Sequence, residues 1–218
     1  MKTRLAVGLL TGLALLPAPM AAQHARLFPP RDLALLEGPD RDAYQRPDQI
    51  MDALLIGDGS RVADLGAGGG WFTVRLARRV GPNGRVYAED IQPEMIGAID
   101  RRVEREGLQK VVKTVLGTPT DPKIPELVDA VLIVDAYHEM EQPVTLLRNL
   151  AKSLKPTGVI GIVNYRRDGN AAGPGPKLEE RVEPEQVIRD ARAAGLELKK
   201  QENFLRYQYL LTFGHAPK

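Results

Sequence analysis

The chain has 218 residues, of which 43% are hydrophobic and 27% are charged, with 30 Lys and Arg residues against 28 Asp and Glu residues. These values are ordinary for a globular protein, and the length predicts one domain or one domain with an extension. The chain contains no cysteine. This excludes a disulfide framework, a cysteine-ligated zinc site, a cysteine nucleophile and any other chemistry that needs a thiolate.

The first 22 residues have the pattern of a secretory signal peptide. Lys2 and Arg4 precede an apolar run over residues 5–16, prolines follow, and Ala21 and Ala22 are small residues suited to cleavage. Since the run is short for a membrane span, we expect a periplasmic or secreted protein. An uncleaved N-terminal membrane anchor is the alternative.

Removal of this leader changes the charge balance of the chain. Without Lys2 and Arg4, 28 basic residues stand against 28 acidic ones. A neutral chain without a basic stripe is not typical of a nucleic-acid-binding protein, so we expect no such partner. We also expect no membrane span after leader removal. We assign residues 23–60 to an N-terminal helical extension and residues 61–218 to the main domain.

Strand-like and helix-like segments alternate from residue 61 onward. Strands are predicted over residues 61–65, 85–90, 111–117, 127–135, 159–165, 196–204 and 208–213. Helical spacing follows the first, second, fourth and fifth strands, and a helix is predicted before them over residues 47–56. This order predicts an α/β fold: a Rossmann-like, doubly wound, mostly parallel seven-stranded sheet between helical layers, with an antiparallel hairpin at one edge.

A glycine-rich turn lies between the first strand and the next helix, in the sequence VADLGAGGGWFT. Glycines at positions 66, 68 and 70 allow a tight turn and a close approach of a ligand to the backbone. The dinucleotide pattern G-x-G-x-x-G would require glycine at position 71, where the chain has Trp71. A turn that binds no ligand is the alternative interpretation.

Acidic residues close the first two strands. Asp64 is placed to hold a charged group or the turn itself. Asp90 closes the second strand, where a carboxylate is suited to accept hydrogen bonds from both hydroxyls of a ribose. Its neighbour Glu89 is expected to point to the other face of the strand. Helix capping is the alternative role of Asp90.

The D-x-G-x-G-x-G spacing at the first strand and the D-x-x-P-x-M stretch that begins at Asp90 resemble motifs of the class I S-adenosylmethionine-dependent methyltransferases. The resemblance extends over about residues 43–214 and is nearest to exported relatives of the ubiquinone/menaquinone C-methyltransferases. It implies S-adenosylmethionine as cofactor and a small-molecule acceptor. It departs from the family after the third strand, where Thr118 and Pro119 replace a frequent acid. The resemblance implies cofactor contacts by Asp64, Gly66, Ala67, Gly68, Gly70, Asp90, Ile91, Gly117, Thr118 and Asp135.

Catalytic candidates follow the fourth strand, because ligands lie at the carboxyl ends of such strands. They are Asp135, Tyr137 and His138. Methyl transfer from a sulfonium is an in-line displacement that depends mainly on positioning, and it needs a base only if the acceptor loses a proton. His138 titrates near neutrality and is the candidate base, with a structural histidine as the alternative. No metal-ligand spacing is present, so no metal is expected.

Two segments are expected to cover the cofactor. Tyr44 and the helix from Pro47 precede the first strand, and the Gly- and Pro-rich residues 166–183 follow the fifth. We predict that the second segment orders on ligand binding. Two other functions stay open: an NAD-binding oxidoreductase, which Trp71 disfavours, and an exported, non-catalytic Rossmann-like protein that binds a nucleoside or a partner.

Overall fold

The computed structural model describes residues 27–167 and 173–217. The predicted leader, residues 1–22, and the middle of the predicted covering loop, residues 168–172, lie outside the described residues. The strands are β1 Arg61–Leu65, β2 Arg85–Asp90, β3 Val112–Leu116, β4 Val128–Val134, β5 Leu154–Tyr165, β6 Leu196–Glu202 and β7 Gln208–His215. The helices are α1 Arg41–Gln45, α2 Pro47–Ala53, α3 Trp71–Val80, α4 Pro93–Arg105, α5 Pro143–Ala151 and α6 Pro184–Ala193.

The seven strands form one sheet in the order β3-β2-β1-β4-β5-β7-β6. Strands β1 to β5 are parallel, whereas β7 is antiparallel to both β5 and β6. The predicted fold class is therefore confirmed, including the antiparallel edge hairpin. The strand order reverses between β1 and β4, and a crevice forms at such a switch point outside the carboxyl ends of the strands.

The core lies in two layers because neighbouring residues of a strand face opposite sides of the sheet. Val62 and Leu132 pack with α2, α3 and α4 on one side, whereas Ala63 and Ile133 pack with α5 and α6 on the other. All four are fully buried, and each large apolar side chain in this position contributes about 1.5–3 kcal/mol. This packing makes the sheet a rigid base for its carboxyl edge.

Two predicted boundaries differ from the structure by three residues or more. The fifth strand, predicted from residue 159, begins at Leu154 and contains a bulge: Leu154 pairs with Val128, and the register then shifts so that Val159 pairs with Ala130. The predicted helix over residues 47–56 ends at Ala53. Before it, the extension contains α1 and a 3₁₀ helix, Pro30–Leu36. No helix among the described residues has both the length and the apolar character needed to cross a membrane.

Candidate active site

The glycine-rich turn joins β1 to α3. Gly66, Gly68 and Gly70 have φ values of 66°, 57° and 77°, in the left-handed region that L-residues with a side chain rarely adopt. At Gly66 there is also no room for a side chain, since an added Cβ would lie 2.6 Å from the Cβ of Ala136. The turn expected from the glycine spacing is therefore present, and it packs closely against the segment that follows β4.

A cavity of about 240 Å³ lies at the carboxyl edge of the sheet, over the switch point. Its walls are the segments that follow β1, β2, β3 and β4, together with residues from the N-terminal extension. Nine of the predicted site residues line it: Asp64, Gly66, Ala67, Gly68, Asp90, Ile91, Thr118, Asp135 and His138. The topology thus brings together residues that are up to 74 positions apart in the chain.

Three predicted site residues do not line the cavity. Gly70 begins α3 and faces Ile99, whose atoms would lie 3.5 Å from an added Cβ. Gly117 makes room for the carboxyl group of Glu89, because an added Cβ would lie 1.8 Å from its Oε1 atom. Tyr137 is buried, and its hydroxyl donates a hydrogen bond to Asp190 in α6, at 2.9 Å. These positions give Gly70 and Gly117 backbone roles and direct the Tyr137 phenol away from the cavity.

Two carboxyl groups at the end of β2 face the cavity. The Asp90 oxygens accept hydrogen bonds from the backbone N–H groups of Gly68, at 3.0 Å, and Gln92, at 2.9 Å. Glu89 also lines the cavity, where it accepts a hydrogen bond from the Gly66 N–H at 3.3 Å. Both side chains reach the cavity because it lies over the carboxyl end of β2, so the prediction that Glu89 points to the other face of the strand stays a prediction.

Burial controls the charge of these groups. It raises the pKa of Asp90 above its ordinary value, and it raises the pKa of Glu89 to about 8, with smaller contributions from the nearby carboxylates. Glu89 is therefore mostly protonated at neutral pH. The site holds one neutral acid beside one carboxylate that is fixed by backbone donors.

Asp64 and Asp135 close the cavity at the β1 and β4 side. The Thr73 hydroxyl donates to Asp64 at 2.6 Å, and the Gln208 amide donates to both Asp135 oxygens at 2.7 and 2.9 Å. Gln208 in turn accepts a hydrogen bond from the buried Gln45 of α1, at 3.0 Å. Burial raises the pKa of each aspartate to about 6, against the opposing effect of these donors and of Arg41.

His138 and Glu139 lie side by side in the segment after β4. The Nε2 atom of His138 lies 3.7 Å from a carboxylate oxygen of Glu139. Burial lowers the pKa of His138 and raises that of Glu139 to about 7. His138 is consequently neutral at physiological pH, in the form in which an imidazole accepts a proton.

The N-terminal extension covers the cavity, but not with the residues expected. Phe28, Leu33, Leu36 and Arg41 line the cavity. The backbone of Phe28 is held at both sides, since its N–H donates to Glu139 at 2.8 Å and its carbonyl accepts from the Gln92 amide at 3.1 Å. We call residues 27–41 the N-terminal cover.

Tyr44, which we expected over the cofactor, instead packs edge-on against Tyr207, with ring centroids 6.1 Å apart. The described ends of the 166–183 segment pack on the domain. Arg181 is buried and donates to the Arg166 carbonyl at 2.9 Å, and an added Cβ at Gly175 would meet the Tyr165 ring. The predicted ordering of this segment on ligand binding stays a prediction.

Sequence reasoning did not assign Glu89, Arg41, Gln92 or Phe28 to the site. The pair of consecutive acids at the end of a strand was the available signal for Glu89. Arg41 and Phe28 carry no local signal, because only the folding of the extension over the sheet brings them to the cavity. Within residues 27–167 and 173–217, no group of three or more acidic or histidine side chains is arranged to hold a metal ion.

Comparison with known proteins supports the resemblance found in the sequence. Residues 62–158 match the family described as a methyltransferase domain. A solved S-adenosylmethionine-dependent methyltransferase from Aquifex aeolicus has a TM-score of 0.78 and 25% identity, over 86% of this chain and 98% of that one. The chain is therefore similar, in sequence and in fold, to S-adenosylmethionine-dependent methyltransferases.

Two curated methyltransferases are also similar. An uncharacterised methyltransferase of Mycobacterium tuberculosis is 36% identical over 63% of this chain and 55% of its own length. A demethylmenaquinone methyltransferase of Lactobacillus johnsonii is 28% identical over 56% of this chain and 50% of its own length. The chain thus spans about half the length of the curated relatives it matches.

The chemistry of the cavity suits S-adenosylmethionine. An ionised carboxylate offers about four acceptor positions, so Asp90 keeps acceptor capacity beyond its bonds to Gly68 and Gln92. Seven carboxyl side chains line the cavity against one guanidinium, in the part of the chain that the structure describes. An acidic wall of this kind favours a ligand with a sulfonium and an ammonium group.

Proposed function

We propose that this chain transfers a methyl group from S-adenosylmethionine to a small-molecule acceptor by in-line displacement. The proposal rests on the position of the Asp90 carboxyl group. It accepts hydrogen bonds from the backbone N–H groups of Gly68 and Gln92, beside the glycine turn at the switch point of the sheet. When bound, the sulfonium supplies an activated methyl group. The protein's contribution is then to align the acceptor and exclude water, and alignment supplies most of the acceleration.

In this proposal some residues of the cavity hold the cofactor and others serve the acceptor. Asp90 accepts hydrogen bonds from the ribose, and Glu89 in its neutral form supports the turn at Gly66. Asp135 lines the same cavity and helps to place the acceptor. His138 accepts a proton where the acceptor must lose one, because burial keeps it unprotonated at neutral pH. The cofactor-binding set is Asp64, Gly66, Ala67, Gly68, Asp90, Ile91, Thr118 and Asp135.

A small acceptor is favoured by the walls of the cavity. Phe28, Met140 and Leu146 contribute apolar surface, and the N-terminal cover lies across the cavity. Such a partly enclosed, mostly apolar space suits a small organic molecule better than a nucleic acid, which needs an open basic surface. The acidic lining further disfavours a phosphate backbone.

We further propose that the protein acts outside the cytoplasm, on the evidence of the leader pattern over residues 1–22. Cell fractionation with an antibody against the C-terminal part of the domain tests this. Recovery in the periplasm or medium is expected, with a mass reduced by the leader. Recovery of the full-length chain in the cytosol would contradict it.

Isothermal titration calorimetry tests the binding half of the proposal. We expect S-adenosylmethionine and S-adenosylhomocysteine to bind at a ratio of one per chain and NAD not to bind, because Trp71 replaces the third glycine of a dinucleotide site. The reaction half is tested with methyl-labelled S-adenosylmethionine and a low-molecular-mass cell extract, in which label should pass to a small molecule. Absence of S-adenosylhomocysteine binding would overturn the proposal.

A further inference from the structure

Asn164 is a polar side chain in an apolar part of β5. It is 2% exposed, and its neighbours on the same face of the strand, Ile160 and Ile162, are fully buried in the layer that packs on α5 and α6. Its Oδ1 atom is buried, and no group among the described residues donates a hydrogen bond to it in normal geometry. Buried polar atoms are almost always paired, because an unpaired one loses its hydration without compensation. The unpaired Oδ1 atom indicates that a donor in the site belongs to it.

The nitrogen end of the Asn164 amide has a partner in β7. The antiparallel register pairs Asn164 with Tyr209, so the two side chains lie on the same face of the sheet. The Tyr209 hydroxyl donates to the Val182 carbonyl at 3.0 Å, which leaves its oxygen able to accept. Burial raises the pKa of Tyr209, and the Asn164 side chain opposes this rise, as a donor to the phenol oxygen does. The amide nitrogen is thus directed at Tyr209, and the oxygen is left for a different partner.

His138 is the partner at the oxygen end. The segment that carries it runs beside β5, because the Asp135 N–H donates to the Val163 carbonyl at 2.9 Å. Burial lowers the pKa of His138, and Glu180 and Asn164 oppose this effect. An amide favours a protonated imidazole when its oxygen faces the ring, whereas its nitrogen would disfavour one. The Oδ1 atom of Asn164 is therefore the end that faces His138.

We propose that Asn164 is the positioning residue for His138: its Oδ1 atom accepts the ring N–H of the neutral imidazole and leaves the other ring nitrogen without a proton. The inference rests on the proposed function, in which His138 takes a proton from the acceptor. That proton passes to the free ring nitrogen, and the bonding electron pair stays on the acceptor. The N–H at Asn164 then belongs to a cation, and a hydrogen bond from a charged donor is the stronger one. Asn164 thus selects the tautomer and stabilises the imidazolium that forms.

NMR spectroscopy of the His138 side chain tests this inference. The chain has three histidines, and the signals of His138 are those that disappear in His138→Gln. In the natural chain, the ¹⁵N shifts at alkaline pH should show a single neutral tautomer. Asn164→Leu removes the acceptor at similar size, so it should lower the measured pKa of His138 by about 0.5 to 1 and give a mixture of tautomers. Asn164→Asp keeps an acceptor and adds negative charge, so it should raise this pKa and keep one tautomer.

The matched control is Asn149→Leu. Asn149 lies in α5, where its amide nitrogen donates to the Thr120 carbonyl and its oxygen accepts from Lys152, both at 2.8 Å. This variant should leave the pKa and the tautomer of His138 unchanged. Glu139 and Glu180, the acidic side chains that act on His138, are present in every variant, so the difference isolates Asn164.

Thermal unfolding should show that each variant is folded. A mixture of tautomers in the natural chain would overturn the inference alone. So would an unchanged pKa and tautomer of His138 in Asn164→Leu, or an unchanged pKa in Asn164→Asp where the leucine variant does not fold. Failure of the natural chain to bind S-adenosylhomocysteine in calorimetry would instead overturn the proposed function.

Discussion

Replacing Glu89 by glutamine should remove a pH-dependent loss of stability. Glu89 is 3% exposed, and burial raises its pKa from 4.5 to about 8. Below about pH 4.5 both the folded and the unfolded chain carry the proton. Between pH 4.5 and 8 the unfolded chain releases it while the folded chain retains it, so the free energy of unfolding falls as the pH rises. Each pH unit costs about 1.4 kcal/mol, and the full interval amounts to roughly 5 kcal/mol.

Urea denaturation at pH 5.5 and pH 8 measures this effect. Between these values the natural chain should lose roughly 3 kcal/mol more unfolding free energy than Glu89→Gln, which has no proton to release there. Asp64, Asp135 and Glu139 titrate in both proteins, so the difference isolates Glu89. Glu104→Gln, the same change at an exposed position of α4, should follow the natural chain. Parallel pH dependences of Glu89→Gln and the natural chain would refute the reasoning.

Three further substitutions test the turn, the ribose contact and the base. Gly66→Ala should lower the free energy of unfolding in urea more than Gly107→Ala does. Both glycines have a φ near 67°, where a residue with a side chain costs about 1–2 kcal/mol, but only an added Cβ at Gly66 meets Ala136. Equal losses would contradict the predicted clash. Asp90→Asn should weaken S-adenosylhomocysteine binding about 10-fold or more by calorimetry, because the amide nitrogen of Asn would face the backbone donors. The control Asp100→Asn, at an exposed position, should leave the affinity unchanged. Equal affinities of the two variants would exclude the ribose contact. His138→Gln should keep that affinity and reduce label transfer to the acceptor about 10²- to 10⁴-fold; unchanged transfer would remove His138 from the mechanism.

The fold was predictable because its signals are local and repeated. Apolar strands such as Val128–Val134 alternate with helices that begin at proline, as at Pro93 and Pro143, and this alternation has few solutions other than a parallel sheet with helical layers. The bulge after Leu154 was not predictable in this way. The residues Lys155 to Gly158 have turn composition, and only pairing of Leu154 with Val128 makes them part of β5.

The site residues were predictable where glycines or acidic residues directly follow the carboxyl ends of parallel strands. Gly66, Gly68 and Asp90 stand at strand ends, and all parallel strands end at the same edge of the sheet. Gly117 and Tyr137 also follow the carboxyl ends of strands, β3 and β4, yet they do not line the cavity. Their side-chain directions depend on partners elsewhere in the chain, the Glu89 carboxyl group and Asp190.

The sequence by itself determined the family of folds, the glycine turn and the acidic strand ends, because each follows from backbone conformation or from alternation within a few residues. Only the tertiary structure decided which groups share the cavity and what charge they carry. Arg41 reaches the site by the path of the extension, and Glu89 becomes a neutral acid by burial. Both depend on contacts between distant segments, and desolvation is a property of the packed molecule that no local pattern encodes.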